Sequence, residues 1–462
     1  MQQHGKGSTM ATESSGSSQA QMQSRSARPR GWPRWTLTLG LSVAFLMLLV
    51  GGWHMIGWHY HVKLQAVLDG YRRDGQPVLP ADFRNPPAAA GDNAADAILQ
   101  AARQLKLTRK QLHIVQWSNT QWLDVEPAEV SALMSANQPV LDLLHQARSM
   151  KGCDWGPRVW DLDSEQEHQD FVQLNVALEA MQRLLFASMY WHSQQGRSDL
   201  AVEALHDQLA LTKSISRCPH IIFSDSRTDP WWTRRVEVAF PSLDLSSQEA
   251  QAAAKGLIVD LLDESAVREA ADRHLLLLRA QVIITGRTRR PWTPPMASGH
   301  IRMVEFITAA AQGLREGNLQ LARAVPLPPV RSDGPRWWAG GAARGAVDDL
   351  FRSLANRRML ATALAIKLFE ADTGRSVQRL EELVPTYLPQ VPRDPYALSG
   401  SVRLRVGERP AILTVGEDGE EGRHDDREFA LNGSHLEEKL EPFEESAAKA
   451  IEDAGVTLPA DW

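Results

Sequence analysis

The chain has 462 residues, 43% of them hydrophobic and 23% charged. That balance excludes wholesale disorder, collagen and a polytopic membrane protein. The formal net charge of −6 offers no global basic field for nucleic acid, and the 2 cysteines exclude both a disulfide-rich scaffold and a four-cysteine zinc site.

Residues 1–34 are rich in Gln, Ser, Gly and Arg and lack an apolar period, which predicts a disordered cytoplasmic tail. Residues 35–59 follow as a transmembrane anchor. Trp35 to Trp58 contain no Asp, Glu, Lys or Arg and include the run from Val43 to Val50. At 1.5 Å per residue this stretch reaches about 36 Å, enough for a hydrocarbon core of about 30 Å. Trp35, Trp53 and Trp58 stand near the ends, where indole prefers the interface. Lys6, Arg25, Arg28, Arg30 and Arg34 precede the span against Glu13. The positive-inside rule then places the N-terminus in the cytoplasm and the bulk outside it; the expected location is the cell (inner) membrane, single-pass, with a periplasmic or extracytoplasmic body. A cleavable signal peptide is the rival, with a shorter apolar region and a small-residue cleavage site that Gly52 to Trp58 do not supply.

Residues 60–325 read as packed helices, with apolar residues at helical spacing. Leu174, Leu178, Met181 and Leu185 form one stripe, and Leu200, Ala204, Leu205, Leu209, Leu211 and Ile215 form another. Gly196 suits the C-terminus of the first helix, and Ser198 or Asp199 can cap the second. Further helices are expected over 94–106, 127–150, 247–285 and 299–317, with Ser246 and Glu249 as a capping box for the third. Tyr190, Gly196, Ala201 and Leu205 are placed as in a single tetratricopeptide-type unit. No second copy at a fixed period is evident, so a helical hairpin is the plainer reading.

The proline-rich stretch at 326–346 is expected to link this domain to a C-terminal unit over 347–432. A helix stripe runs through Leu350, Leu354, Ala361, Leu364 and Leu368 and stops at Gly374. Two strand candidates follow, Val402–Val406 and Ala411–Val415, joined by Gly407-Glu408-Arg409-Pro410. Residues 433–462 are expected to form an acidic amphipathic tail, through Leu436, Leu440, Phe443, Ala447 and Ile451. The expected fold class is therefore mainly α: an N-terminal transmembrane helix, an extracytoplasmic helical domain and a small C-terminal α+β unit with a short hairpin.

The long helix, proline-punctuated loop and hairpin resemble the periplasmic part of the major pseudopilin of bacterial type II secretion. Asp394-Pro395-Tyr396 is similar to that family's Asp-Pro-aromatic turn, and Thr414 to Gly419 resemble its strand-end loop. The resemblance implies a pilin-like unit. It also implies calcium, with Asp418, Asp425 and Asp426 as candidate ligands. The plain alternative is a solvated acidic turn. The family's processing site and membrane-helix Glu are not matched here. The layout resembles single-pass bacterial envelope proteins that end in a pilin-like unit.

Other groups carry weaker chemistry. Cys153 and Cys218 both lie on the expected outside. A bridge between them would close a loop of about 66 residues and contribute about 4 kcal/mol in the chain-entropy model. His54, His59 and His61 cluster at the membrane boundary, where interfacial histidines beside Trp and Tyr are the plainer reading than metal ligands. Asp225 and Asp229 could place two carboxylates in one loop, and Arg287, Arg289 and Arg290 form a basic knot; both read as turn and helix-end composition. No nucleophile elbow, zinc-protease helix, phosphate loop or dinucleotide fingerprint occurs. The expected function is a protein-interaction or scaffold role, with unidentified protein partners and a link to secretion or envelope assembly. The alternative is an envelope-acting hydrolase with acids contributed by distant loops.

Overall fold

A computed structural model describes residues 34–78, 82, 87–108, 111, 126–156, 165–218, 236–288, 294–315, 336–397, 399–416, 421–422 and 426–432. The chain divides into two compact units, Met1–Met55 and Ile56–Trp462.

Helix α1, Arg34–Arg73, supplies the described part of the first unit. It is long and apolar enough to cross a membrane, and none of its most apolar 18-residue window is buried. Past the expected end at residue 59 the helix continues through Lys63 and Asp69, because the chain from Val62 regains a helical period with an apolar face. In the second unit that face is buried. Leu64 is 6% exposed and Leu68 0%, against 74% for Leu48. Burying one leucine is worth about 1.5–3 kcal/mol, so these turns belong to the body by their packing.

The other α-helices among the described residues of the second unit are α2 (Ala94–Gln104), α3 (Pro127–Ala136), α4 (Gln138–Ser149), α5 (Glu165–Gln194), α6 (Ser198–Ile215), α7 (Gln248–Leu262), α8 (Ser265–Thr288), α9 (Pro294–Arg315) and α10 (Arg336–Thr373). Strands β1 (Arg403–Arg405), β2 (Ala411–Thr414) and β3 (Arg427–Ala430) form one antiparallel sheet in the order β1-β2-β3. The hairpin register pairs Arg403 with Leu413 and Arg405 with Ala411.

Helices α5 and α6 are antiparallel neighbours, as their stripes predict. Gly196 turns between them at φ +69°, and the N–H of Arg197 reaches back to the His192 carbonyl at 2.9 Å. Ser198 does not cap α6 from outside. It is the first helical residue, and its buried hydroxyl accepts the N–H of Asp244 at 2.8 Å. The cap of α7 falls one residue later than expected, on Ser247, whose hydroxyl accepts the N–H of Ala250 at 3.1 Å.

Two expected helices are each split at a polar side chain that bonds backbone groups. Asn137 ends α3 and, fully buried, accepts the N–H of Lys106 and donates to the Lys106 carbonyl, both at 2.9 Å. Asp263 separates α7 from α8 by accepting the N–H of Ser265 at 3.2 Å and its hydroxyl at 2.6 Å. These bonds hold the Asp263 carboxyl below its ordinary pKa.

The apolar side chains fall into two clusters. One gathers α2, α3, α4, most of α5 and the end of α6; the other gathers α7 to α10, the sheet and the buried turns of α1. The α5–α6 hairpin contributes to both. Helix α10 opens at Arg336, inside the stretch expected as linker, and packs on α7, α8, α9 and β2. The C-terminal stretch and the helical body therefore share one core, from Leu64 to Phe429. Gly374 ends α10 at φ +68°, where its stripe stops. The sequence pattern did not suggest β3. Its Phe429 is buried against Phe240 with ring centroids 5.3 Å apart.

Candidate functional site

The resemblance points first to the loop after β2. Asp394, 5% exposed, ties it to the end of the preceding loop. Its Oδ1 accepts the N–H of Tyr396 at 2.9 Å, and its Oδ2 accepts the N–H of Val415 at 2.7 Å. Burial pushes this carboxyl up, against the pull of those N–H groups and of Arg403. The Asp-Pro-aromatic turn thus acts as an internal clamp, with Tyr396 buried beside Phe351.

Of the three candidate calcium ligands, Asp418 and Asp425 lie outside the described residues. Asp426 is described, and it staples the loop: Oδ1 accepts the N–H of Gly416 at 3.3 Å and Oδ2 that of Gly422 at 2.8 Å. Arg403 stands beside it, in contact with Glu421 and 4.0 Å from Asp426 Oδ2. Calcium takes six to eight oxygens. The described part of the loop offers one candidate carboxylate, already engaged by N–H donors and flanked by a guanidinium.

A second cluster comes from helix pairing. Helix α4 presents His145 and Arg148 on one face, and α6 presents Glu203 and Asp207, four residues apart, on the facing side. His145 Nδ1 lies 3.1 Å from Asp207 Oδ2; Arg148 Nη1 lies 2.5 Å from Glu203 Oε2 and 3.1 Å from Asp207 Oδ1. Asp207 is buried and its carboxyl is pushed up by desolvation, which outweighs the attraction of Arg148 and His145. The donor atoms of His145, Glu203 and Asp207 lie within 4.8 Å of one another, the spacing a metal ion would need. The arrangement already contains its cation, Arg148, placed between the two carboxylates. Sequence reading missed this group. The spacings i, i+3 and i, i+4 were visible on each helix, but nothing local says that α4 faces α6.

Cys153 and Cys218 are both buried in the first core cluster. Cys153 Sγ donates to the Ser214 carbonyl at 3.6 Å, and burial pushes its thiol up to about 11. His54, His59 and His61 all lie on α1; the His61 ring stands 6.3 Å from Trp58, and the His59 ring 5.9 Å from Tyr60. Asp225, Asp229, Arg289 and Arg290 lie outside the described residues. Among the described residues, the two carboxylic acids that burial raises do not form a pair: Asp207 faces α4, and Asp394 bonds the residue after β2.

One node joins the body to the buried turns of α1. Arg279 of α8 is fully buried. It donates to Gln76 Oε1 at 3.0 Å, to the Pro77 carbonyl at 2.6 Å and to Thr308 Oγ1 at 3.3 Å, and it stacks 4.2 Å over the Tyr71 ring. Tyr71 Oη in turn bonds Thr308 Oγ1 at 2.9 Å.

No protein-family model, curated protein or solved structure matches this chain.

Proposed function

We propose that the chain is a single-pass membrane protein, with residues 35–59 across the lipid bilayer and the N-terminus in the cytoplasm. Its helical body and pilin-like stretch would lie outside and bind protein partners as a scaffold, in secretion or envelope assembly. One observation carries this reading. Within one unbroken helix, an apolar window lies wholly unburied, while Leu64 and Leu68 a few turns later are sealed in the core. Water is a poor solvent for the first stretch and is excluded from the second, which is what an anchor joined to a folded body requires.

The test has three parts. Alkaline extraction of membranes should leave the full chain in the pellet, and replacing both Leu46 and Leu48 with Arg should remove it from the membrane, since each charge costs about 2.5–3.5 kcal/mol at mid-bilayer. A C-terminal reporter should be active only outside the cytoplasm. Crosslinking in intact cells should then recover protein partners that the released variant loses. A reporter active only in the cytoplasm would overturn the topology. Retained topology with nothing recovered above background would overturn the scaffold role.

A further inference from the structure

The end of α6 gathers groups that the sequence keeps about 60 residues apart. The Ser214 carbonyl accepts Trp155 Nε1 at 3.0 Å and Cys153 Sγ at 3.6 Å. The same turn winds on to Cys218: the N–H of Arg217 reaches Ser214 O at 3.2 Å, and that of Cys218 reaches Ile215 O at 2.8 Å. Cys218 therefore stands about one helical turn, roughly 6 Å of rise, past the carbonyl that holds Cys153. Both side chains are buried in one cluster. The chain has 2 cysteines, so each has only the other as a partner within the molecule.

We propose that Cys153 and Cys218 are a modification site, a thiol pair that a disulfide donor converts into an intramolecular disulfide joining the segment after α4 to the end of α6. One thiolate attacks a sulfur of the donor disulfide, breaks its S–S bond, expels one donor thiolate and forms a mixed disulfide; the second thiolate then attacks the protein sulfur of that mixed disulfide and expels the other donor thiolate. The chain loses two electrons and two protons, and the donor takes the electrons and leaves as thiol. The high pKa of the buried Cys153 thiol makes closure slow in the folded protein at neutral pH and faster as the pH rises. Only the place where an oxidant is met rests on the topology proposed above.

The test uses the full chain in detergent micelles, reduced, freed of reductant and exposed to oxidised glutathione. After an acid quench the protein is denatured and labelled with a maleimide carrying a polyethylene glycol. The reduced sample should gain two labels. The oxidised sample should gain none and run as a monomer on a non-reducing gel, with a mass two hydrogens lighter and no glutathione. Two labels after oxidation, glutathione adducts alone, or cross-linked dimers would overturn the proposal. Cys153→Ser and Cys218→Ser should each leave the partner as a labelled thiol or a glutathione adduct. The same labelling in intact cells reads the topology separately. Labels gained only after reduction agree with the body lying outside. Labels gained without reduction, where the isolated chain still closes, overturn that placement and leave the thiol pair standing.

Discussion

Arg279 on α8 and Asp207 on α6 put opposite charges into the interior by different means. Arg279 distributes its donors over an amide, a main-chain carbonyl and a hydroxyl, and covers a tyrosine face. Asp207 faces Arg148 and His145, and desolvation still prevails, since its carboxyl is raised rather than lowered. A buried charge becomes structural when removing it leaves buried polar groups short of a donor. It is replaceable when its own burial costs more than its partner returns.

The sharpest way to break this comparison is Arg279→Ala. It strips the bonds to Gln76, Pro77 and Thr308 and opens a hole beneath Tyr71, so we expect a loss on the order of 4 kcal/mol in chemical denaturation of the full chain. A change below about 1 kcal/mol would show that the node is not what fastens α1 to the body.

Acid should act next. His274, also on α8, is half-buried as a residue, but its ring is enclosed, and desolvation pushes it down to about 4 from 6.5. Its folded-state pKa is depressed, so its contribution to stability is full above about pH 6.5 and is lost as the pH falls toward 4. The loss amounts to about 3 kcal/mol at most. His274→Leu should flatten that slope in denaturation curves measured between pH 7 and 4. Asp207 works in the opposite sense: its folded pKa is raised, so the cost of its charge is relieved as the pH falls through that value toward 3.8.

Gly152→Ala tests a close backbone approach just before α2. A Cβ there would stand 2.6 Å from both Ala88 Cβ and the Asp92 carbonyl oxygen, and backbone must move. A loss of about 2 kcal/mol is expected, read as a lower melting temperature. The smallest effect belongs to Asp207→Asn, which keeps the shape and removes the charge. Stability at pH 7 should change by less than about 1 kcal/mol, and a loss of 3 kcal/mol would place Asp207 with Arg279.

Much of the architecture was legible locally. The stripes on α5 and α6, the positive-φ turn at Gly196, the stop at Gly374 and the β1–β2 hairpin follow from period and turn chemistry. Asn137 and Asp263 each split an expected helix. Their side chains compete with the helix for backbone partners, and a periodicity count weighs only the apolar residues around them. Strand β3 escaped notice because four residues ending an acidic stretch carry little signal. It is held by pairing with β2 and by Glu237, which accepts the Ala430 N–H at 3.1 Å from across nearly 200 residues.

What the sequence by itself determined are the features set by neighbours along the chain: the long apolar helix, the amphipathic stripes, and the glycine and proline breaks. The facing of α4 and α6, the carbonyl shared by Cys153 and Trp155, and the burial of Arg279 were decided only in the tertiary structure. Each depends on which surfaces the shared core brings together, and apolar burial is non-directional until packing selects one arrangement.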